Sequence, residues 1–283
     1  MTGCRRENRK RKKRKIDLEP FKITTPKGPR VPILLSSPHS GTAFPDELKE
    51  VYIQEKMGQP DDTDWFVDKL YDFAPSMGIT TISAVYSRWV VDLNRDPESK
   101  PLYHDGRIIT ALCPTTDFFG NSIYIDGRKE VSQAEVSRRV GKYYTPYHKK
   151  IEEVLTGLRN QFGKVLLWDC HSIRQYVPTI QKEKFPDLIL GDADATSASP
   201  GLIEIALKGL EKSKYEVSHN HPFKGGYITR SFGKPLENQH ALQLEMSKVG
   251  YMDDRELVYD NDRAGQVRMV LMNTFERLIE ALA

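Results

Sequence analysis

A chain of 283 residues, 39% of them apolar, can bury a sizeable core and is read as one α/β domain over residues 20–283. Its formal charge of +3 conceals an asymmetry: the segment from Arg5 to Lys15 alone holds nine Lys or Arg and one Glu, a local +8, so the remainder carries −5 and offers no basic surface for nucleic acid. No stretch approaches the ~20 apolar residues of a membrane span, and no apolar signal core accompanies the basic run, so a cytoplasmic protein that does not span a membrane, with no nucleic-acid partner for its folded body, is expected.

Residues 1–19 read as a disordered basic tail, because like charges repel and Arg5 to Lys15 contains no apolar residue to anchor it. A solvated extension is the simpler reading of that tail, and an arm for phosphate-rich surfaces the alternative. The cysteines, Cys4, Cys113 and Cys170, are odd in number and widely spaced, which fits a reducing compartment.

Val31 to Ser36 is a short apolar run, a buried strand that breaks into Ser37-Pro-His-Ser-Gly41. Asp62 or Thr63 can cap a helix from Asp64 to Phe73, with Phe66, Val67, Leu70 and Tyr71 at helical spacing and Pro75 and Gly78 as stops. Strands are expected at Thr80 to Tyr86 and Trp89 to Leu93. A long helical region, Ser132 to Arg159, is broken near Pro146. Lys164 to Trp168 is a second buried strand running into Asp169-Cys-His-Ser172, and Asp187 to Leu190 a third. The helix Gly201 to Lys212 follows, then a turn into a short strand at Gly225 to Arg230, a strand at His240 to Met246 and a closing helix at Ala264 to Leu282. Alternating apolar strands and helices imply an α/β fold with a mixed, largely parallel sheet and helices on both faces. Reactive loops in such sheets gather at the carboxyl ends of the strands, where Pro38-His-Ser-Gly41, Asp92-Leu-Asn-Arg95 and Asp169-Cys-His-Ser172 are placed.

The side chains of these segments suit hydrolytic chemistry. His39 and His171 are imidazoles of the kind that ligate zinc, and a catalytic zinc takes three protein ligands and keeps one position open. Asp62, Asp64 and Asp68 surround a helix start, where a carboxylate can be a cap as readily as a ligand. Arg88 and Arg95 offer forks that match a carboxylate or a developing oxyanion. Strand alternation puts Gln243 and Glu245 on one face and Leu242, Leu244 and Met246 on the other. An acidic side chain on a central strand needs a partner or a polar cleft, which makes Glu245 a candidate general base.

Six segments in order carry a resemblance: Ser37 to Gly41, Asp62 to Trp65, Arg88 to Arg95, Asp169 to Ser172, Gly225 to Arg230 and Ala241 to Glu245. Together they resemble the successive motifs of the N-formylglutamate amidohydrolase (deformylase) family, related to zinc carboxypeptidases and aspartoacylases. The resemblance covers roughly residues 30–255 and implies a zinc-carboxypeptidase-like α/β fold with one zinc per chain. It makes His39 and His171 ligands and Asp64 the third, with Asp62 as its competitor, because the carboxypeptidase pattern of a Glu soon after the first His is absent from Ser40-Gly-Thr42. Glu245 then matches the catalytic glutamate and Arg88 the carbonyl-polarising arginine. Asn94 with Arg95 matches the clamp on the substrate α-carboxylate, and Arg230 falls to the second carboxylate. The activity implied is removal of formyl from an acidic amino acid, N-formyl-L-glutamate foremost. An aspartoacylase-like or peptidase-like zinc hydrolase acting on another N-acyl amino acid or peptide is the alternative.

Overall fold

The computed structural model describes residues 18–59, 61–98 and 111–283. Seven strands form one sheet: β1 Phe21–Thr24, β2 Ile33–Ser37, β3 Thr80–Ala84, β4 Val165–Ile173, β5 Leu188–Gly191, β6 Val217–His219 and β7 Gln239–Ser247, in the order β1-β3-β2-β4-β7-β5-β6. The central strands β3, β2, β4 and β7 run parallel. Strand β1 is antiparallel on β3, and β5 is antiparallel on β7, so the sheet is mixed and largely parallel. β1 and β6 escape a reading by apolar runs because they are short edge strands whose residues are half-buried or exposed.

After the single-turn helix α1 Gln54–Met57, the longer helices cover both faces. On one, α5 Pro200–Glu211 and α7 Asn261–Leu282 pack Leu202, Ala206, Leu210, Val267, Leu271 and Phe275 onto Leu166, Trp168, Leu242 and Leu244. On the other, α4 Thr145–Phe162 lays Tyr147, Ile151, Leu155 and Leu158 against Leu34, Val165, Leu167 and Ala241. Alternation along β4 and β7 means that Leu167, Asp169 and His171, and likewise Ala241, Gln243 and Glu245, share this second face. Its amino-terminal half is apolar and covered by α4, whereas its carboxyl half is polar. The site is built there.

The long helical region opens with α3 Gln133–Arg139, capped by the Ser132 hydroxyl accepting from the Glu135 amide, and passes through a π-helical stretch over Val140–Tyr144 into α4. The irregularity falls just before Pro146, whose missing N–H cannot continue the ladder.

Three sequence expectations are corrected. The helix over Asp64 to Phe73 shrinks to α2 Val67–Leu70, preceded by Phe66 in the left-handed region and with no side-chain cap. Asp62 and Asp64 are drawn into other contacts, and a single-turn helix is what remains. Trp89 to Leu93 is not a strand but a buried irregular turn, with Arg88 and Asp92 pairing across one helical spacing. Gly225 to Arg230 leads into a helix, α6 Tyr227–Phe232, and not a strand. The basic tail lies outside the described residues except for Leu18 and Glu19. Among the described residues no helix is long and apolar enough to cross a membrane.

Candidate active site

His39 stands two residues beyond the end of β2, and His171 lies within β4, which continues past Trp168 to Ile173. Asp64 is presented by the turn before α2, where its backbone N–H donates to the His39 carbonyl at 3.0 Å. The three side chains converge: the Asp64 Oδ2 is 3.0 Å from His171 Nδ1 and 3.7 Å from His39 Nδ1, and one ligand atom from each residue lies within 4.8 Å of the others. All three are buried.

The far nitrogen of each ring is also held. His39 Nε2 meets Asp92 Oδ1 at 2.7 Å, and His171 Nε2 meets Asp169 Oδ2 at 3.0 Å. A carboxylate on Nε2 fixes the tautomer and leaves Nδ1 free for a metal, the usual outer support of a ligating histidine. Two histidines, one carboxylate and this support fit a zinc ion by donor chemistry and by arrangement. Asp92 and Asp169 both lie inside the motif segments, but nothing in spacing tells which carboxylate reaches which ring.

Charge follows the geometry. Burial works against the proton on His171, yet Asp169 and Asp64 on either side hold its pKa well above the ordinary value. His39 goes the other way, lowered by burial and by the nearby Arg88. Asp92 is held well below its usual range despite burial, chiefly by Arg88 and His39. The Arg88 guanidinium donates to Asp92 Oδ2 at 2.6 Å and has its face against the Phe118 ring, 4.9 Å from the centroid.

Asp62 is taken up differently from Asp64. Its carboxylate accepts from Trp89 Nε1 at 3.0 Å and from the Phe118 backbone at 2.9 Å, which ties the Phe118 loop to the floor of the site. Burial pushes its pKa up to about 6.

Glu245 is the cross-strand register partner of His171 and is partly exposed. Burial, with Asp64 and Asp169 nearby, pushes its carboxyl up to about 8 against the pull of His171 and Arg88. Arg95 borders Asp92, with Nε 3.6 Å from its Oδ2, and is partly exposed. Asn94 is buried beside the cluster. Its Oδ1 accepts from the Ile228 backbone at 2.7 Å and its Nδ2 donates to Asp169 Oδ2 at 3.2 Å, the carboxylate that also meets His171 Nε2. Arg230, on α6, donates from Nε to the Gly225 carbonyl at 2.9 Å.

A cluster of two imidazoles and a carboxylate at the carboxyl edge of a largely parallel sheet, with a partly exposed glutamate beside it, defines the class: an α/β protein with a site able to hold a metal ion. Comparison with known proteins gives the family. The profile of the N-formylglutamate amidohydrolases matches residues 31–252, and the chain belongs to that family. It is 39% identical to the N-formylglutamate deformylase of Pseudomonas putida over 253 residues, 88% of this chain and 93% of the relative. The Pseudomonas aeruginosa deformylase is 40% identical over the same shares. Among solved structures, the N-formylglutamate amidohydrolase of Ralstonia eutropha superposes with a TM-score of 0.80 at 29% identity, covering 94% of this chain and 99% of that one. An Agrobacterium tumefaciens gene product shares the fold, with a TM-score of 0.70 at 17% identity over 94% of this chain and 97% of its own.

Proposed function

We propose that this protein hydrolyses the N-formyl amide of an acidic amino acid, N-formyl-L-glutamate foremost, to formate and the free amino acid, with one zinc ion held by His39, Asp64 and His171. The observation that carries the reading is the meeting of those three side chains next to Glu245 on the neighbouring strand. Once bound, zinc supplies Lewis acidity that eases deprotonation of the attacking water and polarises the formyl carbonyl.

The chain's own residues do the rest. Glu245, on the register partner of His171, accepts the proton of the attacking water and returns it to the amine nitrogen as the C–N bond breaks. Burial, with Asp64 and Asp169, raises that carboxyl to about 8 against the pull of His171 and Arg88, and a cation held by His39, Asp64 and His171 would favour its ionised form. Arg88, whose pKa is raised by Asp92, Asp62 and Asp64 against its burial, is cationic throughout and donates toward the carbonyl oxygen as charge develops there. Arg95 takes the α-carboxylate through a two-pronged contact and Arg230 the side-chain carboxylate. Asn94 supports this arrangement from beneath His171.

The test is formate release from a panel of N-formyl and N-acetyl amino acids, before and after chelation, with metal content measured on the wild type and on His39→Ala, Asp64→Ala and His171→Ala. N-formylglutamate should be preferred, and chelation or any of the three substitutions should remove metal and activity together. Activity that survives exhaustive chelation would exclude the metal reading, and equal cleavage of α-amidated peptides would favour a peptidase.

A further inference from the structure

We propose that Gln243 is a positioning residue for this reaction, its side-chain amide aiming the carboxylate of Glu245. The inference rests on the reading of Glu245 as the base. Gln243 and Glu245 are two apart on β7, on the same face, in register with Asp169 and His171 of β4. Gln243 is buried, and a buried primary amide is costly unless its oxygen and nitrogen both find partners. Its Oε1 accepts from the Gly226 backbone N–H at 2.7 Å. A backbone N–H can only donate, so this contact decides which end of the amide is oxygen. The other end is therefore the NH2 group, and it donates to Glu245 Oε2 at 3.4 Å.

The anchor behind this amide is rigid. A Cβ on Gly226 would fall 2.3 Å from Asn94 Nδ2, so strand, loop and asparagine are in direct contact. The preceding Lys224 carbonyl accepts from the Ala193 N–H at 2.6 Å, in a turn where Ala193, Asp194 and Ala195 all take left-handed backbone angles. Non-glycine residues resist that conformation, and here Asp192 holds them in it by accepting from the Ala195 N–H at 2.8 Å and from Asn220 Nδ2 at 2.6 Å. The strained turn thus fixes the loop that fixes the glutamine.

Glu245 needs such a guide, because His171 and Arg88 attract its carboxylate while Asp64 and Asp169 repel it. A neutral donor on the same strand selects one orientation without adding charge. The contact is longer than the usual 2.9–3.0 Å, as hydrogen bonds to catalytic groups commonly are before substrate is bound.

The experiment uses the full-length zinc-loaded protein and two variants, each made in the wild type and in Glu245→Gln. Gln243→Met keeps length and loses both polar contacts. Gln243→Glu keeps an acceptor for Gly226 and replaces the donor by a second carboxylate oxygen. Both should lower kcat by about tenfold or more, Gln243→Glu by the larger factor, with KM within about twofold, and in the Glu245→Gln background either change should alter the residual rate by less than about twofold. Zinc content should stay at the wild-type level in every variant. Should Gln243→Met melt early, Gln243→Glu still decides, because its anchor to Gly226 remains. Wild-type turnover by Glu245→Gln would remove the base reading and this proposal with it. An inactive Glu245→Gln alongside wild-type kcat in Gln243→Glu, or equal losses in both backgrounds, would overturn the proposal alone.

Discussion

Glu245 can be separated experimentally from the residues that hold the site together. Among the described residues its side chain hydrogen-bonds to Gln243 at a long 3.4 Å, and Gln at this position has the same size and can still hydrogen-bond. Glu245→Gln should keep the metal and the melting temperature and lose about 100-fold or more in kcat, because a positioned base is worth about that much. Wild-type kcat in a metal-replete variant would dismiss it. Arg95 calls for a different experiment, since its contribution is to binding. Lysine retains the charge but not the planar pair of donors, so Arg95→Lys should raise KM for N-formylglutamate. Masking the α-carboxylate as an amide should do similar damage to the wild type and add little in the variant, since both remove one contact. Additive losses in that comparison would mean that Arg95 and the α-carboxylate do not meet.

Elements show where sequence is informative and where it stops. Buried strands announce themselves by apolar runs, so β2, β4, β5 and β7 were legible, and with them the placement of His39, His171 and Glu245 near one edge. Asp64 was legible only as one of three carboxylates near a helix start, with Asp62 its competitor. What separates it from Asp62 is a tertiary fact: Trp89 and Phe118 capture Asp62 from distant positions. Trp89 to Leu93 misled because an apolar run looks alike in a strand and in a buried turn; the Arg88–Asp92 pair across it is buried and joins residues at helical spacing. The Gly225-Gly226 pair reads as a turn in sequence, but the requirement for glycine at 226 comes from Asn94, far away in the chain. Gly226→Ala should therefore cost about 1–3 kcal/mol through overpacking, read by urea unfolding, and should displace Asn94 from beneath His171. Gly157→Ala is the matched control: it lies inside α4 with nothing within 4 Å of an added Cβ, and should stabilise by about 0.5–1 kcal/mol. Equal effects at the two positions would refute the steric argument.

At the scale of the whole molecule, the layer between α4 and the catalytic floor links acidity to stability. His148 stacks on Tyr144 at 4.0 Å between centroids, faces Phe232 and Tyr227, and places Nε2 2.8 Å from the Leu93 carbonyl, one residue before Asn94. Only a protonated Nε2 can make that contact, so the neutral ring carries its hydrogen there. Burial lowers the pKa of this ring from 6.5 to about 4. The sign follows from proton counting: below 6.5 the unfolded chain takes up a proton that the folded ring refuses, so the contribution is fully present above 6.5 and is lost as the pH falls toward 4. Carboxylates with depressed values, Glu47 and Glu135 at about 2, lose their contributions at still lower pH. The contribution of His148 should thus be lost between pH 6.5 and 4, ahead of the greater part of those of Glu47 and Glu135. His148→Gln keeps a donor for the Leu93 carbonyl and does not titrate, so its stability should fall less between pH 7 and pH 4 than that of the wild type, by on the order of 2 kcal/mol in urea unfolding. The two proteins are compared at identical metal loading, which cancels the proton equilibria at the cluster. Parallel stability curves over that interval would show that His148 takes up its proton as readily folded as unfolded, and would detach the aromatic layer from the acid response.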